Sequence, residues 1–262
     1  MGTYIEFAKK SFMKNMVYRF NYIMGIVNLV IYILIYVAIW KAIYGTKTVI
    51  DGVSYKMVVT NFILGLGITN AFVMNEFMVA KKVRSGDISS ELLKPIDFTK
   101  YVLAVNLGET CFKVVMNFIP AVIVCALFIG VLPPASVLMF ILSLVSIVFG
   151  YLIMFYVSYM VSLISFWYFN IWSFATIKNV VIQILSGVIM PIWFMPKQLV
   201  AIIKITPFDS IFYIPVSIYM GKLPVSDIML SMLKQAIWVF ILYGLSKLIW
   251  SLGIKKLVVQ GG

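Results

Sequence analysis

The chain has 262 residues, of which 63% are hydrophobic and only 11% are charged, and its formal net charge is +12 at pH 7. A soluble domain averages about 25% charged residues, and a core of this size cannot bury so much apolar surface. Several apolar runs exceed the roughly 18 residues that mark a membrane-spanning helix. The composition therefore excludes a soluble protein and predicts an all-α membrane protein.

The positive charge fits a membrane protein better than a nucleic-acid binder. Nucleic-acid binders present basic and base-contacting residues on a soluble face, and nearly continuous apolar helices offer no such face. Lys and Arg collect instead in cytoplasmic loops and contact anionic lipid. We therefore expect membrane lipid, and no nucleic acid, among the partners.

Residues 1–21 predict a basic amphipathic helix that lies in the headgroup layer. Its apolar residues recur at spacings of three and four: Ile5, Ala8, Phe12 and Met16. Lys10 and Lys14 face away from this stripe, so the lysines would lie near lipid phosphate. A frayed tail is the alternative.

Six membrane-spanning helices are predicted after this segment, in a single domain that covers residues 1–262. We expect the spans at residues 22–43, 57–79, 101–131, 136–166, 177–190 and 228–252. Between the first two lies a polar loop in which Asp51-Gly52 is a turn signal. The fourth span exceeds the roughly 30 Å hydrocarbon core, so it must tilt or project.

The most polar stretch, residues 80–101, separates the second and third spans. It holds five of the chain's 21 Lys and Arg residues. Gly86 is expected to end the extension of the second span, and Asp87 or Ser89 to cap a short helix. Pro95 would stop that helix.

The short helix would carry an apolar knob ringed by charge. Ile88, Leu92 and Leu93 form the predicted knob, with Glu91 and Lys94 beside it. A solvated loop has no need of exposed apolar residues, whereas exposed apolar patches are typical of docking surfaces. We therefore expect a partner protein to bind here.

Residues 191–227, before the last span, predict a re-entrant hairpin. Four prolines punctuate the region: Pro191, Pro196, Pro207 and Pro215. The apolar segments between them are too short to cross a bilayer. Irregular backbone at membrane depth is tolerated only against protein or a cavity, so the hairpin is either the cap of an outward exit or a purely structural lid.

The distribution of basic residues predicts that both termini are cytoplasmic. With the N-terminus inside, the predicted cytoplasmic segments hold 13 Lys and Arg residues and the outer segments hold seven. Cytoplasmic segments carry the excess of Lys and Arg in membrane proteins.

Catalytic and metal-binding motifs are not recognisable in the sequence. Gly221-Lys222 is followed by Leu223 where a P-loop has Ser or Thr, and no span pairs two carboxylates for acid–base chemistry. The absence of His excludes His-based zinc sites. Cys111 and Cys125 lie in one predicted helix, about 21 Å apart, too far for a disulfide. We expect a chain that is not an enzyme and holds no metal.

Glu109 and Lys113 form the one candidate charge pair within a predicted span. Glu four residues before Lys is the favourable helical order, and ionisable residues at membrane depth are often functional. The alternative is a structural pair near the cytoplasmic interface, with the Lys113 ammonium reaching towards water.

The segment R-S-G-D-I-S-S-E-L-L-K-P-I-D, placed after the second of six spans, resembles the corresponding loop of permeases in type-2 ATP-binding-cassette (ABC) exporters. The likeness is to the small bacterial six-span branch, and the interfacial helix, the loop and the Pro-broken hairpin extend it over essentially the whole chain. The loop residues that carry it are Gly86, Asp87, Leu92, Leu93, Lys94 and Pro95.

This resemblance implies a non-catalytic permease that forms half of a translocation path. Residues 80–100 would be a coupling loop seated on a separate ABC ATPase, which holds the ATP and Mg²⁺. The implied coupling residues are Gly86, Asp87, Ile88, Glu91, Leu92, Leu93, Lys94 and Pro95. Two ATPases and two permeases, identical or paralogous, would form the exporter in the bacterial plasma (inner) membrane. The N-terminal helix would also touch the ATPase.

Two other classes remain as alternatives. An ATPase-independent secondary transporter or channel usually carries an ionisable relay at mid-membrane or inverted repeats, and neither is evident in the sequence. A membrane scaffold or immunity protein would give Glu91 and Leu92 no docking role. Aromatic-rich spans with few charges favour an amphipathic or hydrophobic cargo, such as a peptide, an antibiotic or a lipid-like compound, over a small ion.

Overall fold

The structure is a computed structural model that describes residues 2–16 and 19–257, and the side chains of these residues apart from 19–23. Of the predicted N-terminal helix, residues 1, 17 and 18 lie outside the described part, as does the end of the chain after residue 257. The helices in chain order are α1 (Gly2–Asn15), α2 (Arg19–Tyr44), α3 (Tyr55–Ala71), α4 (Glu76–Arg84), α5 (Ile88–Leu92), α6 (Phe98–Lys113), α7 (Ile119–Phe128), α8 (Val137–Leu163), α9 (Trp172–Leu185), α10 (Lys197–Ile205), α11 (Tyr213–Tyr219) and α12 (Val225–Ile254). Two short strands, β1 (Val49–Ile50) and β2 (Val53–Ser54), join α2 to α3.

Within this part of the chain, five helical segments are long and apolar enough to cross a membrane. They are Met24–Tyr44, Tyr55–Arg84, Phe98–Phe128, Val137–Phe166 and Val225–Ile254. These segments correspond to the predicted spans one to four and six, and they confirm the all-α membrane class. The predicted fifth span, residues 177–190, overlaps α9 only as far as Leu185. Helix α9 has 14 residues and measures about 21 Å, less than the roughly 30 Å hydrocarbon core. The number of six spans stays a prediction.

The second span is interrupted between α3 and α4, where the sequence predicts one continuous helix. The interruption leaves backbone N–H groups without helical partners, and side chains of α6 accept their hydrogen bonds. Val73 N–H donates to Thr110 Oγ1 at 3.1 Å, and Asn75 N–H donates to Asn106 Oδ1 at 2.8 Å. Because buried N–H groups need partners, α6 stabilises the break.

Pro120 lies within the third span without ending it. Proline has no N–H to donate to the carbonyl four residues earlier. The chain forms a π-helical turn at Val114–Phe118 before α7 begins. The wider turn directs Asn117 towards α2, where a Cβ at Gly25 would lie 2.8 Å from Asn117 Nδ2.

The turn signal at Asp51-Gly52 is confirmed. Strands β1 and β2 pair antiparallel, with Ile50 opposite Val53. The φ angles are 49° at Asp51 and 74° at Gly52, and positive values at both central residues are what a type I′ hairpin turn requires.

The core centres on α8, against which α4, α11 and α12 pack. Gly150 of α8 permits a close approach, because a Cβ there would lie 2.7 Å from the carbonyl oxygen of Ile211. The buried Gln235 side chain of α12 donates to the carbonyl oxygens of Ser146 and Ser210, at 3.2 and 2.8 Å. Most of α11 is buried, so this helix, too short to span, lies against protein.

Helix α1 packs along α6. Ser11 Oγ donates to the carbonyl oxygen of Val105 at 2.9 Å. At Gly108 of α6, a Cβ would lie 2.1 Å from the carbonyl oxygen of Ala8, so only glycine permits this packing distance.

Candidate functional site

The predicted short helix is present as α5, in the connection between α4 and α6. Gly86 has a φ of 78°, a backbone conformation that glycine adopts at little cost, and it turns the chain after α4. Asp87 occupies the N-cap position of α5 but makes no side-chain capping bond. Its Oδ2 instead accepts a hydrogen bond from Ser85 Oγ at 2.6 Å.

Ile88 and Glu91 anchor α5 to the protein. Ile88 is fully buried in the main core. The Glu91 carboxylate, 8% exposed, accepts from Lys82 Nζ at 2.5 Å and from Lys94 Nζ at 2.9 Å. The sequence-based placement of Ile88 in the exposed knob is wrong, because the first turn of α5 faces the core. Glu91 likewise points inwards and braces the helix.

The charges around Glu91 outweigh its burial. Burial would raise the pKa of the Glu91 carboxyl, but the hydrogen bonds from Lys82 and Lys94 and their positive charges lower it below its ordinary value. The same bond to Glu91 raises the pKa of Lys94. The carboxylate therefore stays ionised and holds α5 against the last turn of α4.

The other predicted coupling residues form the exposed surface of the loop. Leu93 is 87% exposed and Leu92 39% exposed, and we call these two leucines the α5 knob. Four polar or turn residues around the knob are also exposed: Gly86, Asp87, Lys94 and Pro95. An apolar pair thus projects from a helix that is fixed on its opposite face.

Both ends of the chain brace this loop. Asp97 N–H donates to Tyr4 Oη of α1 at 2.8 Å, and Asp97 Oδ2 accepts from Lys247 Nζ of α12 at 2.9 Å. Burial would raise the pKa of Asp97, but the bond from Lys247 and that from the backbone N–H of Lys100 lower it. The loop is therefore tied to α1, α6 and α12.

A buried ion pair that sequence reasoning missed joins α4 to α9. Lys178 Nζ donates to Glu76 Oε1 and, at 3.0 Å, to Ser158 Oγ of α8. The side chains of Lys178 and Glu76 are 6% and 8% exposed. The sequence did not predict that Glu76 and Lys178 form a pair. The sequence does hold a signal for this pair. Glu76 and Lys178 carry opposite charges, and each lies near one end of an apolar segment.

Helix α4 therefore connects α5 to α9. Its first residue, Glu76, binds Lys178, and Lys82 near its other end binds Glu91 of α5. Nine residues of α-helix act as a stiff rod of about 13 Å.

The structure does not bring Glu109 and Lys113 together as an ion pair. Five ion pairs have N···O distances of 4.0 Å or less within the described residues, and this pair is not among them. Glu109 has Ser11 and Lys14 of α1 as neighbours, in addition to Lys113 on its own helix. A functional role of Glu109 and Lys113 stays a prediction.

The four prolines of residues 191–227 shape a region that is mostly buried between residues 207 and 220. Pro191, Pro207 and Pro215 are buried, and Pro196 is exposed. Pro196 immediately precedes α10, and Pro191 and Pro207 each precede a 3-10 turn. Pro215 lies in the first turn of α11, where its missing N–H leaves no helical bond unmade. A buried Asp209 carboxylate bonds Lys234 Nζ at 2.7 and 2.8 Å.

A cleft of about 350 Å³ lies between α2, α3 and α9. Uncharged polar and aromatic side chains contribute to its lining: Asn28, Tyr32, Tyr36, Thr69, Asn70 and Gln183. No charged residue of the described part lines it. It can therefore donate and accept hydrogen bonds without attracting an ion. No group of three His, Cys, Asp or Glu side chains that could share a metal ion occurs within the described ranges.

Comparison with known proteins gave one family match. The model of the family described as ABC-2 family transporter protein matches residues 23–261. The matched range contains all five spanning-length helices, the loop that carries α5 and the Pro-rich region, whereas α1 lies before it. Searches among curated proteins and solved structures found no match.

Proposed function

We propose a function from the premise that the chain belongs to the ABC-2 family of transporter proteins, to whose model residues 23–261 match. The chain is accordingly a multi-pass transport permease. Within that class, we propose that it is the membrane subunit of an ATP-driven exporter and that the α5 knob binds a separate ATPase. The main observation in support is that Leu93 is 87% exposed on a helix whose opposite face is buried.

The construction of α5 supports a docking role. An exposed leucine pair is costly in water unless a partner covers it. Amphipathic helices seat such residues in grooves of their partners. The Glu91 brace and the buried Ile88 fix the helix, so a push on the knob moves the attached helices instead of deforming the loop.

The path of that motion runs through α4. A displacement of α5 acts on α4 through the Lys82–Glu91 bond, and α4 acts on α9 through the Glu76–Lys178 pair. Helix α9 borders the uncharged cleft through Gln183. ATP-driven approach of two ATPases would in this way change the cleft, as a rigid-body transition.

The cleft and the Pro-rich region suggest the route of the cargo. Two permeases, identical or paralogous, would each contribute one cleft to the translocation path. The uncharged polar lining favours an amphipathic or hydrophobic cargo with hydrogen-bonding groups, such as a peptide, an antibiotic or a lipid-like compound. We place its exit beneath residues 191–227, which form a re-entrant hairpin in this proposal.

The remaining parts of the assembly follow from the same proposal. ATP and Mg²⁺ bind on the partner ATPase, and this chain holds no cofactor and catalyses no reaction. The excess of Lys and Arg, 13 against seven, supports a cytoplasmic location of α5 and both termini, and the membrane in this proposal is the bacterial plasma membrane. Helix α1, held against α6, would also contact the ATPase.

The test is co-purification with a candidate ATPase. Leu93→Asp adds a charge at the most exposed point of the α5 knob, and Val225→Asp adds the same charge at a residue that is 63% exposed at the opposite end of the molecule. We expect wild type and Val225→Asp to retain the ATPase and Leu93→Asp to lose it at equal abundance. Equal retention by both variants would contradict the proposal, as would failure of wild type to bind the ATPase.

A further inference from the structure

A basic cleft of about 440 Å³ lies at the end of the molecule opposite α5. It opens between the last turn of α2, the β1–β2 hairpin and the first turn of α3. Three exposed lysines contribute to its lining: Lys41, Lys47 and Lys56. Hydroxyl and aromatic side chains line the rest, together with Leu132 from the connection between α7 and α8.

The charge of this cleft is unbalanced. Within the described residues, none of the three lysines forms an ion pair, and neither Asp nor Glu lines the cleft. Asp51 lies at the nearby hairpin turn but is not part of the lining. Under the orientation proposed above, this end faces outwards, where membrane proteins carry fewer Lys and Arg residues. Three lysines around one cleft at that end therefore point to an anionic ligand.

The framework of the cleft is well fixed. Tyr44 is 3% exposed, donates from Oη to the carbonyl oxygen of Val53 at 2.9 Å, and meets the Tyr55 ring edge-on at 5.6 Å. Ser54 Oγ caps α3 by accepting from Met57 N–H at 3.3 Å. The positive end of the α3 dipole lies at the same place. The cleft is thus formed by ordered elements, and the lysines extend from them.

We propose that this cleft binds the phosphate headgroup of an anionic membrane lipid. Lysine ammonium groups bind phosphate oxygens as point charges, and three of them can share one headgroup. A lipid fits better than a free phosphate ion because the cleft lies where α2 leaves the membrane. Val49, which lines the cleft, is 51% exposed, and Ile43 in the last turn of α2 is 57% exposed, so acyl chains have an apolar surface to follow. The inference does not depend on the ATPase or on transport.

The experiment titrates the intact purified chain with dioctanoyl phosphatidylglycerol and measures binding by native mass spectrometry and thermal shift. Lys47→Gln/Lys56→Gln removes two of the cleft lysines. A lysine near an anionic headgroup contributes about fivefold in affinity, so we expect the loss of two lysines to raise the Kd by about 25-fold. Because both side chains are exposed and unpaired, the lipid-free unfolding temperature should not change.

The matched control is Lys197→Gln/Lys204→Gln, which removes the same charge from exposed positions of α10 at the same end of the molecule. We expect this variant to bind the lipid with an affinity within about twofold of wild type, since neither of its lysines lines the cleft. Equal weakening in both double variants would show a general surface potential and overturn the proposal.

Two further ligands complete the test. Dioctanoyl phosphatidylcholine should bind wild type much more weakly than phosphatidylglycerol, since its headgroup carries no net charge. Equal binding of the two lipids would overturn the role of the lysines. Inorganic phosphate should neither bind comparably nor displace the lipid at the same concentration, and if it does, the site is one for free anions and the assignment to lipid is wrong.

Discussion

Removing the charge of Lys178 should destabilise the protein far more than removing an exposed lysine. Lys178→Met leaves the Glu76 carboxylate, 8% exposed, without its cation and removes a hydrogen bond to Ser158. Breaking a buried ion pair by removing one partner costs about 3–5 kcal/mol. The total free energy of unfolding of a domain is about 5–15 kcal/mol, so the loss of the ion pair would remove a large part of the stability.

The double variant Glu76→Gln/Lys178→Met separates the pair from its individual charges. Because neither charge then stays buried alone, we expect it to cost clearly less than the sum of the two single changes. Lys204→Met serves as the control, since its side chain is exposed and such substitutions usually lie within about 0.5 kcal/mol of wild type.

The assay is denaturant unfolding in a mild detergent, followed by tryptophan fluorescence, for wild type and the four variants. The expected order of stability is wild type and Lys204→Met first, then the double variant, then the two single variants. If Lys178→Met were as stable as Lys204→Met, or if the single effects simply added, the buried pair would not join α4 to α9 as described.

Two other predictions concern α1 and the loop. Gly108→Ala should release α1 from α6 and lower the stability by about 1–3 kcal/mol, because the new Cβ would lie 2.1 Å from the Ala8 carbonyl oxygen. Limited proteolysis of α1 measures this release. The control is Gly244→Ala, whose new Cβ would meet nothing within 4 Å. The contribution of Glu91 to stability should depend on pH, because folding lowers the pKa of its carboxyl below the ordinary value of 4.5. This stabilisation is complete above pH 4.5, and it is lost as the pH falls through the lower pKa of the folded protein. Proteolytic protection of the loop should therefore fall below about pH 4.5 in wild type and be weak but pH-independent in Glu91→Gln, and identical pH profiles would contradict the brace.

Run length and hydropathy made most of the membrane helices predictable. A spanning helix needs about 20 apolar residues whatever its neighbours are, so local sequence suffices to locate it. Helix α5 could also be predicted from local sequence, because Gly86 precedes it and Pro95 follows it. The Asp51-Gly52 turn was predictable for the same reason, since a turn depends on its own residues.

Long-range packing accounts for what the sequence did not predict. Ile88 is buried because the core extends beneath α5. The sequence of the loop alone does not indicate this contact. The Glu76–Lys178 pair joins residues 102 positions apart, and the hydrophobic pattern of α4 and α9 does not specify which helices adjoin. Glu109 and Lys113 form no ion pair in the structure, and α1, which packs beside Glu109, adds neighbours that the sequence of α6 alone does not reveal.

Direct contact between the α5 knob and an ATPase can be tested by site-specific photo-cross-linking in intact membranes. A benzophenone amino acid would replace Leu93 in one variant and Val225 in another, both at exposed positions. We expect an ATPase adduct from position 93, its loss or a change in its intensity when ATP is bound, and no adduct from position 225. Absence of an ATPase adduct at position 93, in a variant that still folds and reaches the membrane, would contradict it.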